Sequence, residues 1–171
     1  LLRQIAPILL IGIGQSYVLI TGNIDLSIGS VVGMSCMISA TLMTKGINPW
    51  VAVGITFVCC ILVGVLNGQL VAKCKLPPFI ATLGTMTIAR GIAQIVNNNY
   101  NTDSIGDGAQ AFRDFFYYGK FLGVYNTIWI AVVLWILFNF LLSKTRTGRH
   151  IYAIGSNVEA ARLSGVNVVA S

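Results

Sequence analysis

Charge is what this chain has least of. Asp, Glu, Lys and Arg make up 9% of its 171 residues, against about 25% in ordinary soluble domains. A soluble fold needs more charge to cover its surface, so an integral membrane protein is expected instead. Acids are scarcest of all: there are five, and Asp25 alone precedes residue 103. That scarcity argues against an ion-coupled carrier, which normally needs buried ionisable groups within its spans. The lone histidine, His150, closes a basic run beside Arg149, where a solvated or headgroup-facing ring is expected rather than a catalytic base. The phosphate-cradling pattern G-x-x-x-x-G-K-[ST] is missing, so any ATP that drives this protein is expected on another chain. The four cysteines (Cys36, Cys59, Cys60 and Cys74) have no zinc-like spacing and are expected as small packing residues. No catalytic residue, cofactor site or metal site is expected.

What the chain does have is apolar length. Hydrophobic residues make up 56% of it, in runs that approach the roughly 20 residues a spanning helix needs. The runs are continuous, unlike the alternating ten-residue segments of a membrane barrel. The expected fold is therefore all-α, a polytopic transmembrane helix bundle. About five spans fill residues 1–143, at 4–22, 26–44, 49–72, 79–96 and 121–143. Small residues stud them: Gly12, Gly14 and Ser16, then Gly29-x-x-x-Gly33 with Ser35-x-x-x-Ser39, then Gly64-x-x-x-Gly68. Such stripes let helix backbones approach closely. Residues 97–120 are polar and turn-rich with clustered aromatics, the pattern of an aqueous loop whose end touches the membrane interface. Residues 144–171 are again soluble-like. The chain opens without an initiator Met and ends without a natural stop, so a fragment is expected.

The net charge of +6 is a topology signal rather than a nucleic-acid signal, because the basic residues fall in short clusters between apolar runs. "KTRTGRH" (144–150) and "KCK" (73–75) hold no acid, whereas 97–120 sets Asp103, Asp107 and Asp114 against Arg113 and Lys120. The positive-inside rule puts the first two in the cytoplasm and 97–120 outside the cell membrane, with "KGINPW" (45–50) also external. Asp25 then lies at or below the cytoplasmic boundary, unless a broken or re-entrant helix carries it deeper.

Asp25 sits in "TGNIDLSIGS" (21–30). Gly22 permits positive φ and Asn23 tolerates it, so a turn is expected. Asp25 could cap span two, where the helix dipole also favours negative charge. A hinge in the transport path and direct contact with cargo are the sharper alternatives, and Ser27 belongs to the same signature. Arg90 lies about seven residues, or about 10 Å, inside span four. It either snorkels outward or faces the bundle. Gln15, Asn67, Gln69 and Gln94 either line an aqueous path with it or bond neighbouring helices. In the tail, Ser156-x-x-Glu159 matches a capping box, predicting a helix over about 157–164 that Gly165 stops. Two turns are marginal in water. That helix must pack on its own membrane domain or on a partner.

In this order, "TGNIDLSIGS", "GVLNGQLVAK", "PPFIATLGTMTIARG" and "KTRTGRHIYAIGSNVEAARLSGVNV" resemble the permease subunit of bacterial ATP-binding-cassette importers for monosaccharides, the ribose/xylose/galactose permease family. The resemblance covers nearly the whole chain. It implies roughly the N-terminal half of a permease that works as a homodimer, with a cytoplasmic ATP-binding subunit and an extracytoplasmic sugar-binding protein as partners. It implies an ATPase-docking segment at Gly155, Asn157, Glu159, Ala160, Ala161, Arg162, Leu163, Ser164 and Gly165. Two positions depart from the family pattern: Asn23 replaces the second of two glycines, and Ser156 replaces the glycine before the docking Asn. The implied function is a passive pathway for a pentose or hexose. The rival cargoes are a nucleoside, a branched-chain amino acid or a sugar-like signal molecule. The rival class is an ion-coupled secondary transporter using Asp25.

Overall fold

The computed structural model describes residues 2–100 and 107–168. Four long helices open the chain: α1 (Leu2–Ile20), α2 (Ile28–Thr44), α3 (Pro49–Ala72) and α4 (Pro78–Val96). A 3-10 turn (Asp107–Ala109), a one-turn helix α5 (Gln110–Arg113) and a π-helical turn (Asp114–Tyr118) follow. A two-stranded antiparallel hairpin comes next, β1 (Lys120–Phe121) and β2 (Val124–Tyr125). Then come α6 (Asn126–Lys144), α7 (Arg146–Ser156) and α8 (Val158–Leu163). The architecture is the expected all-α helical bundle of a multi-pass membrane protein. Three helices, α3, α4 and α6, are long and apolar enough to cross a bilayer, and α1 and α2 supply shorter apolar helices.

The chain folds as two compact units, one of residues 26–118 and the other of 1–25 with 119–171. In the first, a tight turn reverses α2 into α3. Gly46 takes φ +81 and the amides of Gly46 and Ile47 bond back to Met43 and Leu42, the paired closure that ends helices at a left-handed glycine. Asn48 caps α3 by accepting from the Trp50 amide, with Pro49 in the first turn, where its missing N–H costs nothing. The α2–α3 turn end carries a small apolar core of Met43, Ala52 and Ala109. Trp50 packs edge-on against Phe112, with ring centroids 5.5 Å apart. Residues 107–118 are therefore short helical turns seated at the α2–α3 turn rather than an irregular loop. Their aromatics pack into that seat because three or four ring contacts remove more apolar surface than an open loop would. Asp103 lies outside the described residues, as does the side chain of Asp107.

Helix contact in this unit does not follow the glycine stripes. Gly29, Gly33, Gly64 and Gly68 face open space, and a Cβ added at any of them would meet nothing within 4 Å. The buried positions instead include Ala81, Thr82, Thr85 and Ala89 of α4, Met34 and Thr41 of α2, and Ala52 and Thr56 of α3, and α4 packs against both other helices. Alanine and threonine supply the same close approach as glycine, and three of the four threonine hydroxyls are satisfied within their own helix, while that of Thr41 has no partner among the described residues. Thr56, Thr82 and Thr85 all donate to carbonyls one turn back.

The second unit holds the other two corrections. Span five begins at Asn126 rather than Phe121, because Leu122 and Gly123 both take positive φ (51° and 78°) and form a two-residue hairpin turn. The Trp129 indole N–H ties that hairpin to α6 by donating to the Phe121 carbonyl at 3.1 Å. The tail is more helical than expected: α7 fills 146–156 ahead of the short helix. The Tyr17 hydroxyl donates to the Phe138 carbonyl and the two rings meet edge-on at 5.8 Å, so α1 and α6 are in contact at matching heights.

If the alanine–threonine seam holds the first unit together, Ala89→Leu overpacks it and costs about 1–3 kcal/mol. Gly33→Ala adds helix propensity of about 1 kcal/mol and meets no obstacle. Thermal unfolding in detergent should show a lower midpoint for the first variant and an unchanged or higher one for the second.

Candidate functional site

The signature stretch resolves into three separate jobs. Thr21 and Gly22 end α1. Gly22 takes φ +77, its amide bonds the Leu19 carbonyl at 3.0 Å and the Asn23 amide bonds Val18 at 3.2 Å. This is the paired closure seen at Gly46, so Gly22 is the stop of α1. Asn23 has an ordinary negative φ, and its side-chain amide donates to the Thr21 hydroxyl at 2.9 Å. Asp25 is half-buried three residues ahead of the start of α2. The boundary residue of α2 is Ser27, not Asp25, and Ser27 makes no side-chain cap bond. Its hydroxyl is used elsewhere: it is 1% exposed and accepts from the Asn67 amide at 3.1 Å. That bond joins the start of α2 to the far end of α3.

Asn67 is thus the one pathway candidate that the fold brings to the signature. It is 8% exposed, and its Oδ1 is buried with no partner among the described residues. Gln69, Arg90 and Gln94 are exposed on α3 and α4 and do not converge with it. Gln15 belongs to the other unit. Its Oε1 is also buried without a partner among the described residues.

The tail is built around two glycines that sequence reasoning treated otherwise or missed. Gly148 and Gly155 are seven residues apart on α7. At 100° per residue they share one face, about 10.5 Å apart along the axis. A Cβ on Gly148 would collide with the Leu142 carbonyl in the last turn of α6. One on Gly155 would collide with the Ile20 carbonyl, the last residue of α1. Adjacent helix axes lie 8–10 Å apart, so α7 bridges the C-terminal ends of α1 and α6, and those two helices run parallel. Ile151 and Ile154 are buried on the same side. Gly155, expected in the docking face, is a packing residue. The signal was available: an amphipathic eleven-residue segment with glycines at heptad spacing on its apolar side.

Helix α8 starts one residue after α7 ends. Its cap is Asn157, whose side chain accepts from the Ala160 amide at 3.0 Å. The Ser156 hydroxyl instead donates back to Ala153, so the predicted Ser156–Glu159 capping box does not form. The chain had a better cap one residue on, with extended backbone (φ −163, ψ 110), while Ser156 is still helical. Gly165 stops α8 as expected, at φ +83 with the same paired closure. Ala161 is buried, at 3% exposure, and Leu163 is 89% exposed. Glu159 and Arg162 approach to 3.9 Å, both well exposed. Such a pair contributes little to stability. The segment therefore anchors itself through Ala161 and offers Glu159, Arg162 and Leu163 outward.

Asn157→Ala should cost about 1 kcal/mol of local stability, the usual loss for a deleted cap. Hydrogen exchange at the Ala160 amide should rise about fivefold, whereas Ser156→Ala should leave it unchanged.

Over residues 1–170 the chain matches the family described as branched-chain amino acid transport system / permease component. It is 36% identical over 170 residues to the ribose import permease protein RbsC of Bacillus subtilis, covering 98% of this chain and 52% of that protein. It is 34% identical to the fructose import permease protein FruF of Bifidobacterium longum, covering 97% and 47%. It is 35% identical to the autoinducer 2 import system permease protein LsrC of Salmonella paratyphi B, covering 93% and 45%. The chain thus spans about half the length of the curated relatives it matches. No solved structure matches it.

Proposed function

The chain belongs to the branched-chain amino acid transport system / permease component family, and we propose that it forms part of the translocation pathway of an ATP-binding-cassette importer whose cargo is a monosaccharide. The reading rests on one observation above others: 36% identity to a ribose import permease over 98% of the chain, running through both the signature turn and the docking segment. Neutral, hydroxyl-rich cargo also suits a chain with so little charge in its spans. A sugar-like signal molecule is the second reading, supported by the 35% identity to an autoinducer 2 permease.

In this proposal the chain does no chemistry. A separate cytoplasmic subunit hydrolyses ATP, a binding protein delivers sugar from outside, and two permeases enclose the path. The tail 144–171 is cytoplasmic and the 97–120 segment is extracytoplasmic. Within the 26–118 unit, the placement of the 107–118 turns supports a shared side for 45–50 and 97–120. The 107–118 turns sit at the 45–48 end of their unit, and the tail sits where α1 ends. Helix α8 docks in the ATP-binding subunit through Asn157, Glu159, Ala160, Arg162, Leu163, Ser164 and Gly165. Ala161 and Gly155 hold the segment to its own helices. ATP-driven movement of α8 passes through α7 to the end of α1 at Ile20, and so to the turn at Gly22, Asn23, Asp25 and Ser27. The glycine and asparagine of that turn suit a hinge. Asn67, hydrogen-bonded to Ser27, is the amide best placed to feel it move. Gln15, Gln69, Arg90 and Gln94 remain candidates to line the path.

Reconstituted with its ATP-binding subunit and binding protein, the full permease should accumulate radiolabelled ribose only with ATP. Glu159→Lys combined with Arg162→Glu should abolish that uptake while membrane insertion stays normal. Normal uptake and assembly in the double variant would remove the docking assignment. Asp25→Asn should lose only part of the activity, since Asn retains turn and capping ability; complete loss in a well-folded variant would instead point to a charge-dependent role.

A further inference from the structure

We propose that the outward face of α7 is an electrostatic docking surface for an acidic patch on a soluble protein, and that Arg146 and Arg149 carry it. This rests on the docking reading of α8 above and extends that interface to a second helix. Gly148, Ile151 and Ile154 mark the buried side of α7. At 100° per residue, Arg146 and Arg149 lie roughly opposite. Both are exposed, as is Lys144 at the end of α6. Among the described residues none of the three has a carboxylate partner: the ion pair in this region is Arg162 with Glu159. No acid occurs between Asp114 and Glu159, so the surface presents cations with no carboxylate on α6 or α7 to neutralise them.

The position of α7 decides what meets that surface. The helix lies across the ends of α1 and α6, with its glycines against their terminal carbonyls. A helix with side chains is about 10–12 Å across, whereas the headgroup layer on each side of the hydrocarbon core is roughly 5–8 Å deep. The face opposite the bundle therefore points away from the spans, on the side where water lies beyond the headgroups. A soluble partner can reach it without entering the membrane. The two glycines also hold α7 close on two helix ends, so the guanidinium groups are displayed from a fixed base. Such a base suits charge steering, which raises association rates more than it slows dissociation. The surface is continuous in sequence with α8, so one partner can engage both.

The test uses the full-length permease in nanodiscs of neutral phosphatidylcholine and measures association of its ATP-binding subunit across a salt series. The association rate of the wild type should fall steeply with salt. Arg146→Gln with Arg149→Gln should lower the low-salt association rate about tenfold and flatten the salt dependence, while the dissociation rate changes little. Arg146→Lys with Arg149→Lys should keep the wild-type behaviour, since charge rather than guanidinium geometry is at work. An unchanged association rate and salt slope in the glutamine variant would overturn the proposal. So would a defect that appears only when phosphatidylglycerol is added to the nanodisc, because the face would then be reading a lipid surface. Failure of the wild type to bind the ATP-binding subunit at all would instead sink the docking reading on which this rests.

Discussion

Close approach of backbone to backbone, at Gly148 against Leu142 and at Gly155 against Ile20, is the constraint on which the tail depends. A helix end leaves carbonyls without partners inside the helix. Here another helix is laid across two such ends, and it can lie there only because its contact residues have no side chain. Everything downstream inherits that placement. Ile151 and Ile154 are buried because the glycines bring α7 down onto α1 and α6. Helix α8, too short to be stable alone, starts one residue later and is seated through Ala161. The outward residues of both helices are displayed from a base fixed in the membrane domain.

The same economy runs through the spans. A helix in lipid must satisfy its polar groups internally, and Thr56, Thr82 and Thr85 do so with hydroxyls that bond one turn back. That leaves alanine and threonine as the contact surface of the 26–118 unit. Within the 26–118 unit one side chain-to-side chain bond stands out among the described residues, Asn67 to Ser27, and it ties the start of α2 to the end of α3. Among the described residues the Asn67 Oδ1 and the Oε1 of Gln15 are buried without a partner, as are the hydroxyls of Thr41 and Thr127. The glycine stripes of α2 and α3, by contrast, face outward.

Much of the fold was legible in the sequence, because apolar runs of spanning length bounded by proline, glycine and lysine have few other solutions. The limits of α3 fall where its hydrophobic run does, and Gly22, Gly46 and Gly165 all stop helices at positive φ. The stripes misled because a small-residue spacing says that a face can be approached, not which face is. The capping box at Ser156 failed for a local reason: Asn157 offered a stronger cap one position later. Helix α7 was hidden by its own basic residues, which read as a soluble run, although its apolar positions are spaced for a helix. The signature stretch was correctly a turn, but the distribution of its roles needed coordinates. Only they assign Gly22 to the end of α1 and Ser27 to Asn67, with Asp25 between.

If the contact of Gly155 with Ile20 carries movement from the docking segment into the spans, coupling should fail when that contact is forced apart. The direct measurement is sugar accumulated per ATP hydrolysed, in proteoliposomes holding the assembled full-length transporter with Gly155→Ala. The account predicts an assembled complex that hydrolyses ATP and accumulates little or no sugar. An assembled complex whose ratio of sugar to ATP equals that of the wild type would contradict it.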